Sequence, residues 1–136
     1  MQKIHLVSGV ALLIIFALTG QYMKNSLALP EGDFNAQRMM YRASHIYLLF
    51  AGCVNTLVGC YWSKLESVAA GYIQSLASLL IVVSQVFLLL AFYYEPPVVD
   101  QDRILTVLGC VSLLAGVVLT LVARFMAGVL GKRVLK

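Results

Sequence analysis

The chain has 136 residues, of which 61% are hydrophobic and only 12% are charged, and its mean hydropathy is +0.89. Soluble domains average about 45–50% apolar and about 25% charged residues, so this composition excludes a soluble globular domain, a disordered segment and a coiled coil. The net charge of +4 comes from basic residues at the ends of apolar runs. That placement indicates anchoring at a membrane interface, and we expect no nucleic-acid partner.

Four apolar segments follow one another along the chain, and each is long enough to cross a bilayer, which takes about 20 residues. They cover residues 4–23, 43–62, 68–94 and 104–130. The first is longer than the apolar part of a signal peptide, so we expect it to be retained as a span. An irregular stretch at 24–37, a tight turn at 63–67 and the helix stop Glu95-Pro96-Pro97 separate the segments. The sequence therefore predicts an all-α fold, a single four-helix transmembrane bundle.

The basic residues near the spans predict the orientation, because Lys and Arg are in excess on the cytoplasmic side of membrane proteins. With the N terminus inside, six basic residues are cytoplasmic: Lys3, Lys64, Arg124, Lys132, Arg133 and Lys136. Four are then on the outer side: Lys24, Arg38, Arg42 and Arg103. We therefore expect a multi-pass protein of a bacterial inner (plasma) membrane with both termini in the cytoplasm.

The second segment carries the most informative polar pattern. At 100° per residue, one helix face within about 60° of His45 begins with cationic and aromatic residues and continues with small and hydroxyl-bearing ones. Its members are Arg38, Tyr41, Arg42, His45, Leu49, Gly52, Thr56 and Gly59. Arginine offers a fork of donors, tyrosine a hydroxyl and histidine both a donor and an acceptor. We therefore predict that Arg38, Tyr41, Arg42 and His45 bind an amphipathic ligand (a lipid, a quinone or a haem) near the outer surface.

The same residues have a second interpretation as membrane anchors. Arg38 and Arg42 would extend to lipid phosphates, and Tyr41 would belong to the aromatic belt at the interface. A third interpretation is a Cu(I) site, because methionines 23, 39 and 40 fall at the same surface as His45.

A haem held by two histidines of one chain is not expected. His5 and His45 belong to opposite surfaces of a hydrocarbon core about 30 Å thick, so one iron cannot bind both. A haem with one histidine ligand, or one shared between chains, stays open. The cofactor is therefore left unassigned.

The other three segments each carry one stripe of small or polar residues. These are His5 and Gly9 on the first, Gln74, Ser78 and Gln85 on the third, and Gly109 and Gly116 on the fourth. Polar side chains need partners in lipid, so the stripes should face inward, where Asn55 and Gln85 find hydrogen bonds. Glycine-faced helices approach closely, and we expect them to mediate homo- or hetero-oligomers as well.

The sequence lacks the residues and motifs that several kinds of transport and catalysis require. The four segments contain no Asp or Glu, which argues against a proton-driven small multidrug transporter and against paired-carboxylate catalysis. Cys53, Cys60 and Cys110 lack the spacing of a metal site and are predicted to be packing residues. No phosphate-binding loop or hydrolase motif occurs. No catalytic residue and no metal ligand is predicted.

The segment Arg38-Met39-Met40-Tyr41-Arg42-Ala43 resembles the start of the second helix in the MAPEG family of membrane glutathione-dependent enzymes. That resemblance implies a trimer that binds glutathione between its subunits. The family motif continues with an Asn and a Glu, whereas this chain continues Ser44-His45. The main expectation is a small membrane binding or accessory protein, a subunit of a larger complex. The alternative is an oligomeric membrane enzyme of the MAPEG type or a small transporter.

Overall fold

The computed structural model describes residues 1–26, 36–65, 67–97 and 102–134. This part of the chain forms four helices and no strand: α1 (Gln2–Ser26), α2 (Ala36–Cys60), α3 (Val68–Tyr94) and α4 (Ile104–Val134). All four are long and apolar enough to cross a membrane. The predicted all-α four-helix transmembrane bundle is therefore confirmed.

The helix limits differ from the apolar segments mainly at α2, which begins at Ala36 rather than near residue 43. Its first turns are polar because they extend past the hydrocarbon, where a helix no longer needs apolar side chains. The stop after α3 is as predicted, since the backbone N–H of Glu95 donates to the Ala91 carbonyl and two prolines follow. Most of the predicted irregular stretch (27–35) and residue 66 of the predicted turn lie outside the described residues.

The helices form two antiparallel hairpins, α1 with α2 and α3 with α4, and α2 packs on α3 to join them. Over the described residues, α1 and α4 do not touch. We call the end of the bundle that holds Trp62 the tryptophan end. The opposite end, where α1 and α3 finish and where Arg38, Arg42 and Arg103 lie, is the arginine end.

Each hairpin closes around glycines. A Cβ placed on Gly9 would lie 2.6 Å from the backbone nitrogen of Thr56, and one on Gly59 would lie 2.8 Å from that of Leu6. In the second hairpin, a Cβ on Gly116 would lie 2.9 Å from the Ala77 carbonyl oxygen. These separations leave no room for a side chain, so the predicted glycine stripes pack helix against helix within the chain.

The polar stripes face inward, as predicted. His5, Asn55, Gln74, Ser78 and Gln85 are all buried. The opposite faces present large apolar side chains to the surroundings, among them Val7, Ile14, Leu18, Phe50, Leu79 and Leu114. This distribution suits a bundle whose outer surface contacts lipid and whose polar groups bond to one another.

Candidate functional site

Two arginines of the first turns of α2 line a cavity with the end of α1. The cavity holds about 280 Å³, and its lining residues are Gly20, Met23, Lys24, Arg38 and Arg42. We call it the cationic cavity. Of the five lining residues that the structure describes, three are basic and none is acidic. A cavity of this kind suits an anionic group, because guanidinium forks match the geometry of phosphate and carboxylate oxygens.

His45 lies one helical turn deeper than Arg42, packed against α1. Its ring stacks on Phe16 with 4.0 Å between ring centroids. The Thr19 hydroxyl donates to the Phe16 carbonyl, so its oxygen accepts from His45 Nδ1 at 3.0 Å. A Cβ on Gly20 would lie 3.3 Å from His45 Cε1. Gly20 thus separates His45 from the cationic cavity, and the imidazole holds α1 and α2 together beneath it.

Tyr41 faces the other way, toward α3. It is buried, and its ring meets Phe92 edge-to-face at 5.3 Å and Tyr22 at 6.2 Å. These three rings are part of a second cavity of about 600 Å³, which we call the aromatic cavity. Its lining residues are Tyr22, Tyr41, Phe92, Tyr93, Tyr94 and Pro97.

The four predicted site residues therefore occupy three places at one end of the bundle. Arg38 and Arg42 share the cationic cavity, His45 lies beneath it, and Tyr41 belongs to the aromatic cavity. The 100° geometry already separates Tyr41 by about 60° from Arg38 on the helix. The sequence does not reveal that this angle is enough to place Tyr41 on the far side of α1.

A buried hydrogen-bond network links three helices near the tryptophan end. His5 Nδ1 donates to Asn55 Oδ1 at 2.8 Å, and the Ser78 hydroxyl donates to His5 Nε2 at 2.7 Å. The amide nitrogen of Asn55 donates to the Ala51 carbonyl, which leaves its oxygen to face the histidine. Trp62 stacks on the imidazole with 5.4 Å between centroids. We call His5, Asn55 and Ser78 the histidine network.

The series of hydrogen-bonded groups, from amide to histidine to serine, matches the catalytic triad of serine hydrolases except that an amide replaces the carboxylate. Its burial points to a different role. The exposed fractions of His5, Asn55 and Ser78 are 0%, 0% and 2%, so no substrate reaches the serine oxygen. The network instead fixes α1, α2 and α3 in register. The predicted partners for Asn55 and Gln85 are found, since Gln85 donates to Ser8 at 3.4 Å.

Replacing Ser78 by alanine should lower the free energy of unfolding by about 1–2 kcal/mol, because His5 Nε2 then lacks a donor in an apolar interior. Ser75, one turn earlier on α3, provides the matched control. It is exposed and donates only to the Gly71 carbonyl of its own helix, so Ser75→Ala should be nearly neutral. Equilibrium unfolding in detergent micelles measures both. Equal effects at the two serines would contradict the interhelical role.

A second buried cluster joins α3, α4 and α2 at the arginine end. Glu95 is buried and accepts from the Thr106 backbone N–H at 2.9 Å and from the Thr106 hydroxyl. Arg103 Nε lies 3.5 Å from Glu95 Oε2, and its Nη2 donates to Ser44 Oγ on α2 at 2.9 Å. Glu95 therefore satisfies an otherwise unpaired N–H in the first turn of α4 while it neutralises Arg103.

Metal binding finds limited support in the side chains that the structure describes. Among them, no group of three or more His, Cys, Asp or Glu residues could hold a metal ion. Of the methionines considered for copper, Met23 lines the cationic cavity and Met39 is 54% exposed. His5 is a residue of α1, and His45 bonds to Thr19 of the same helix, 14 residues further along, which corresponds to about 21 Å. One iron cannot span that distance.

Comparison with known proteins assigns no role to these residues. No protein-family model matches the chain, and neither a curated protein nor a solved structure matches it.

Proposed function

We propose that the chain is a small integral membrane binding protein that holds an amphipathic molecule by its anionic head at the arginine end. One observation carries the proposal: Lys24, Arg38 and Arg42, from two different helices, line a single cavity of about 280 Å³. A phosphate-bearing lipid head is the ligand class that this cavity suits best. Its acyl chains would lie along exposed apolar side chains of the same hairpin, such as Leu18.

The helix to which these arginines belong supports this interpretation. Arg38 lies in the first turn of α2, where the positive end of the helix dipole disfavours a cation. The first turn of α2 contains no acidic residue that would offset this. An anion bound in this cavity would interact favourably both with the arginines and with the positive end of the α2 dipole.

Interfacial anchoring is the competing explanation, and it differs from the proposal in the number of lipids that each chain retains. An anchor exchanges freely among many lipids, whereas a cavity with three basic side chains and a close-packed Gly20 floor selects one head group.

Localisation in a bacterial inner membrane with cytoplasmic termini belongs to the proposal, and so does assembly into an oligomer or larger complex. Because six of the described glycines already pack within the hairpins, such an assembly would use other faces of the bundle.

The test is lipid retention by the intact chain. The protein is reconstituted in nanodiscs of mixed phosphatidylglycerol and phosphatidylcholine, released in the gas phase and weighed by native mass spectrometry. We expect one retained phosphatidylglycerol per chain. Each of Arg38→Gln and Arg42→Gln should weaken retention about fivefold, since a basic residue near an anionic surface contributes about 1 kcal/mol.

The matched control removes two positive charges from the opposite end, in the variant Lys3→Gln/Lys64→Gln. Lys3 and Lys64 are exposed, so the fold should not change. The control should keep the bound lipid. Equal loss in the lysine control and in the Arg38→Gln and Arg42→Gln variants would show a general charge effect, and unchanged retention in both arginine variants would rule out the cationic cavity.

A further inference from the structure

The aromatic cavity is a second concave site at the arginine end, separate from the cationic cavity. It shares no lining residue with the cationic cavity, and it lies on the α3 side of the seam between α1 and α2. Its volume of about 600 Å³ falls within the range of about 300–1,000 Å³ that is usual for small-molecule sites. The proposed lipid function makes no use of it.

The walls of this cavity are rings with hydroxyl groups. Four of the six lining residues are tyrosines, and the others are Phe92 and Pro97. Tyr41 links Tyr22 to Phe92 through edge-to-face contacts, and Tyr93 meets Tyr94 at 4.9 Å and 85°. Tyr93 and Tyr94 are 71% and 60% exposed, so a bound ligand would cover much of their aromatic surface.

The chemistry of the lining selects the ligand class. None of the six described lining residues is charged, so this part of the wall favours an uncharged ligand. Perpendicular rings offer both faces and edges to a flat aromatic guest, and phenol hydroxyls donate to carbonyl oxygens. We propose that the aromatic cavity binds an uncharged planar ring with carbonyl oxygens, of the quinone type, whose apolar tail extends into the lipid.

The position of the cavity fits an amphipath of this kind. Tyr93, Tyr94 and Pro97 lie where α3 ends, and the ends of a membrane-spanning helix lie near the interface. Tyrosine is favoured at that level because its ring is apolar and its hydroxyl is polar. A ring held there would keep its oxygens near the polar region while its tail follows the outer surface of the bundle.

Tyrosine resonances provide the test. The intact chain, labelled with ¹³C in its tyrosine rings and held in micelles, is titrated with a benzoquinone that carries a ten-carbon tail. We expect saturable shifts at Tyr22, Tyr41, Tyr93 and Tyr94. The exposed tyrosines of the tryptophan end, Tyr61 and Tyr72, serve as internal controls and should not respond. Decanol, which has the tail without the ring, should produce no saturable shift.

Variants separate the site from general partitioning into the micelle. Tyr93→Ala/Tyr94→Ala should weaken binding about tenfold, because two aromatic contacts are lost. Tyr61→Ala/Tyr72→Ala should leave binding unchanged, and so should Arg42→Gln, which tests the lipid site alone. Equal shifts at Tyr61 and Tyr72, saturation by decanol, or wild-type affinity in the Tyr93/Tyr94 variant would each overturn the proposal.

Discussion

Replacing Glu95 by alanine is expected to lower the free energy of unfolding by about 3 kcal/mol, among the largest effects of any single change at the arginine end. The substitution removes the carboxylate that faces Arg103 and both hydrogen bonds to Thr106. It also leaves a backbone N–H in the first turn of α4 without a partner. The value lies at the low end of the range for broken buried ion pairs, because the side chain of Arg103 is 28% exposed.

Equilibrium unfolding in micelles, titrated with increasing denaturant concentration, measures this loss. Asp102→Asn is the matched control, because Asp102 is an exposed carboxylate at the same turn, and its loss should change stability by no more than about 0.5 kcal/mol. Adding Arg103→Leu to Glu95→Leu should recover part of the loss, since no charge then remains unpaired. Equal stability of Glu95→Ala and Asp102→Asn would show that the ion pair does not hold the helices together.

Substitution of Gly9 by leucine should have an effect of similar size, about 3 kcal/mol or more, at the opposite end of the bundle. Leucine is a better helix former than glycine, so the isolated helix would gain stability. The loss comes from packing alone. The new Cβ would lie 2.6 Å from the Thr56 backbone nitrogen, and backbone atoms can move away only if α1 separates from α2.

Gly71→Leu provides the matched comparison on α3. A Cβ at Gly71 meets nothing within 4 Å, so leucine there should be neutral or slightly stabilising. Gly9→Ala should lie between the two, since it adds the clashing atom without the rest of the side chain. The same unfolding assay measures the stability of the Gly9 and Gly71 variants. A Gly9→Leu variant as stable as Gly71→Leu would contradict the close approach of α1 and α2.

Much of the fold follows from the sequence because lipid imposes simple requirements. A span must be long and apolar, so four segments predict four helices, and polar groups must find partners, so the stripe with Gln74, Ser78 and Gln85 faces inward. The start of α2 was predicted less well. Hydropathy marks where the hydrocarbon ends, whereas a helix can continue beyond it, as α2 does from Ala36.

The candidate sites were less accessible to prediction because they depend on which helices touch. Helical spacing places Arg38 and Arg42 together, but the pairing of Tyr41 with Phe92 requires knowledge that α3 packs on that flank. The histidine network joins residues 50 and 73 positions apart, and periodicity within one helix cannot identify such partners. The sequence predicts Glu95 only as part of a helix stop, whereas its burial depends on its contacts with Arg103 and Thr106 at the start of α4.

The histidine network also has a consequence for biosynthesis. His5 leaves the ribosome before its partner Ser78, which follows 73 residues later. At about 5–20 residues per second, that interval lasts about 4–15 s. During this time the His5 ring can bond to Asn55 within the first hairpin, whereas the ring nitrogen that accepts from Ser78 has its partner only when the third helix is made. Arrival of α3 therefore closes the network, which makes the second hairpin's insertion the step that commits the first to its final position.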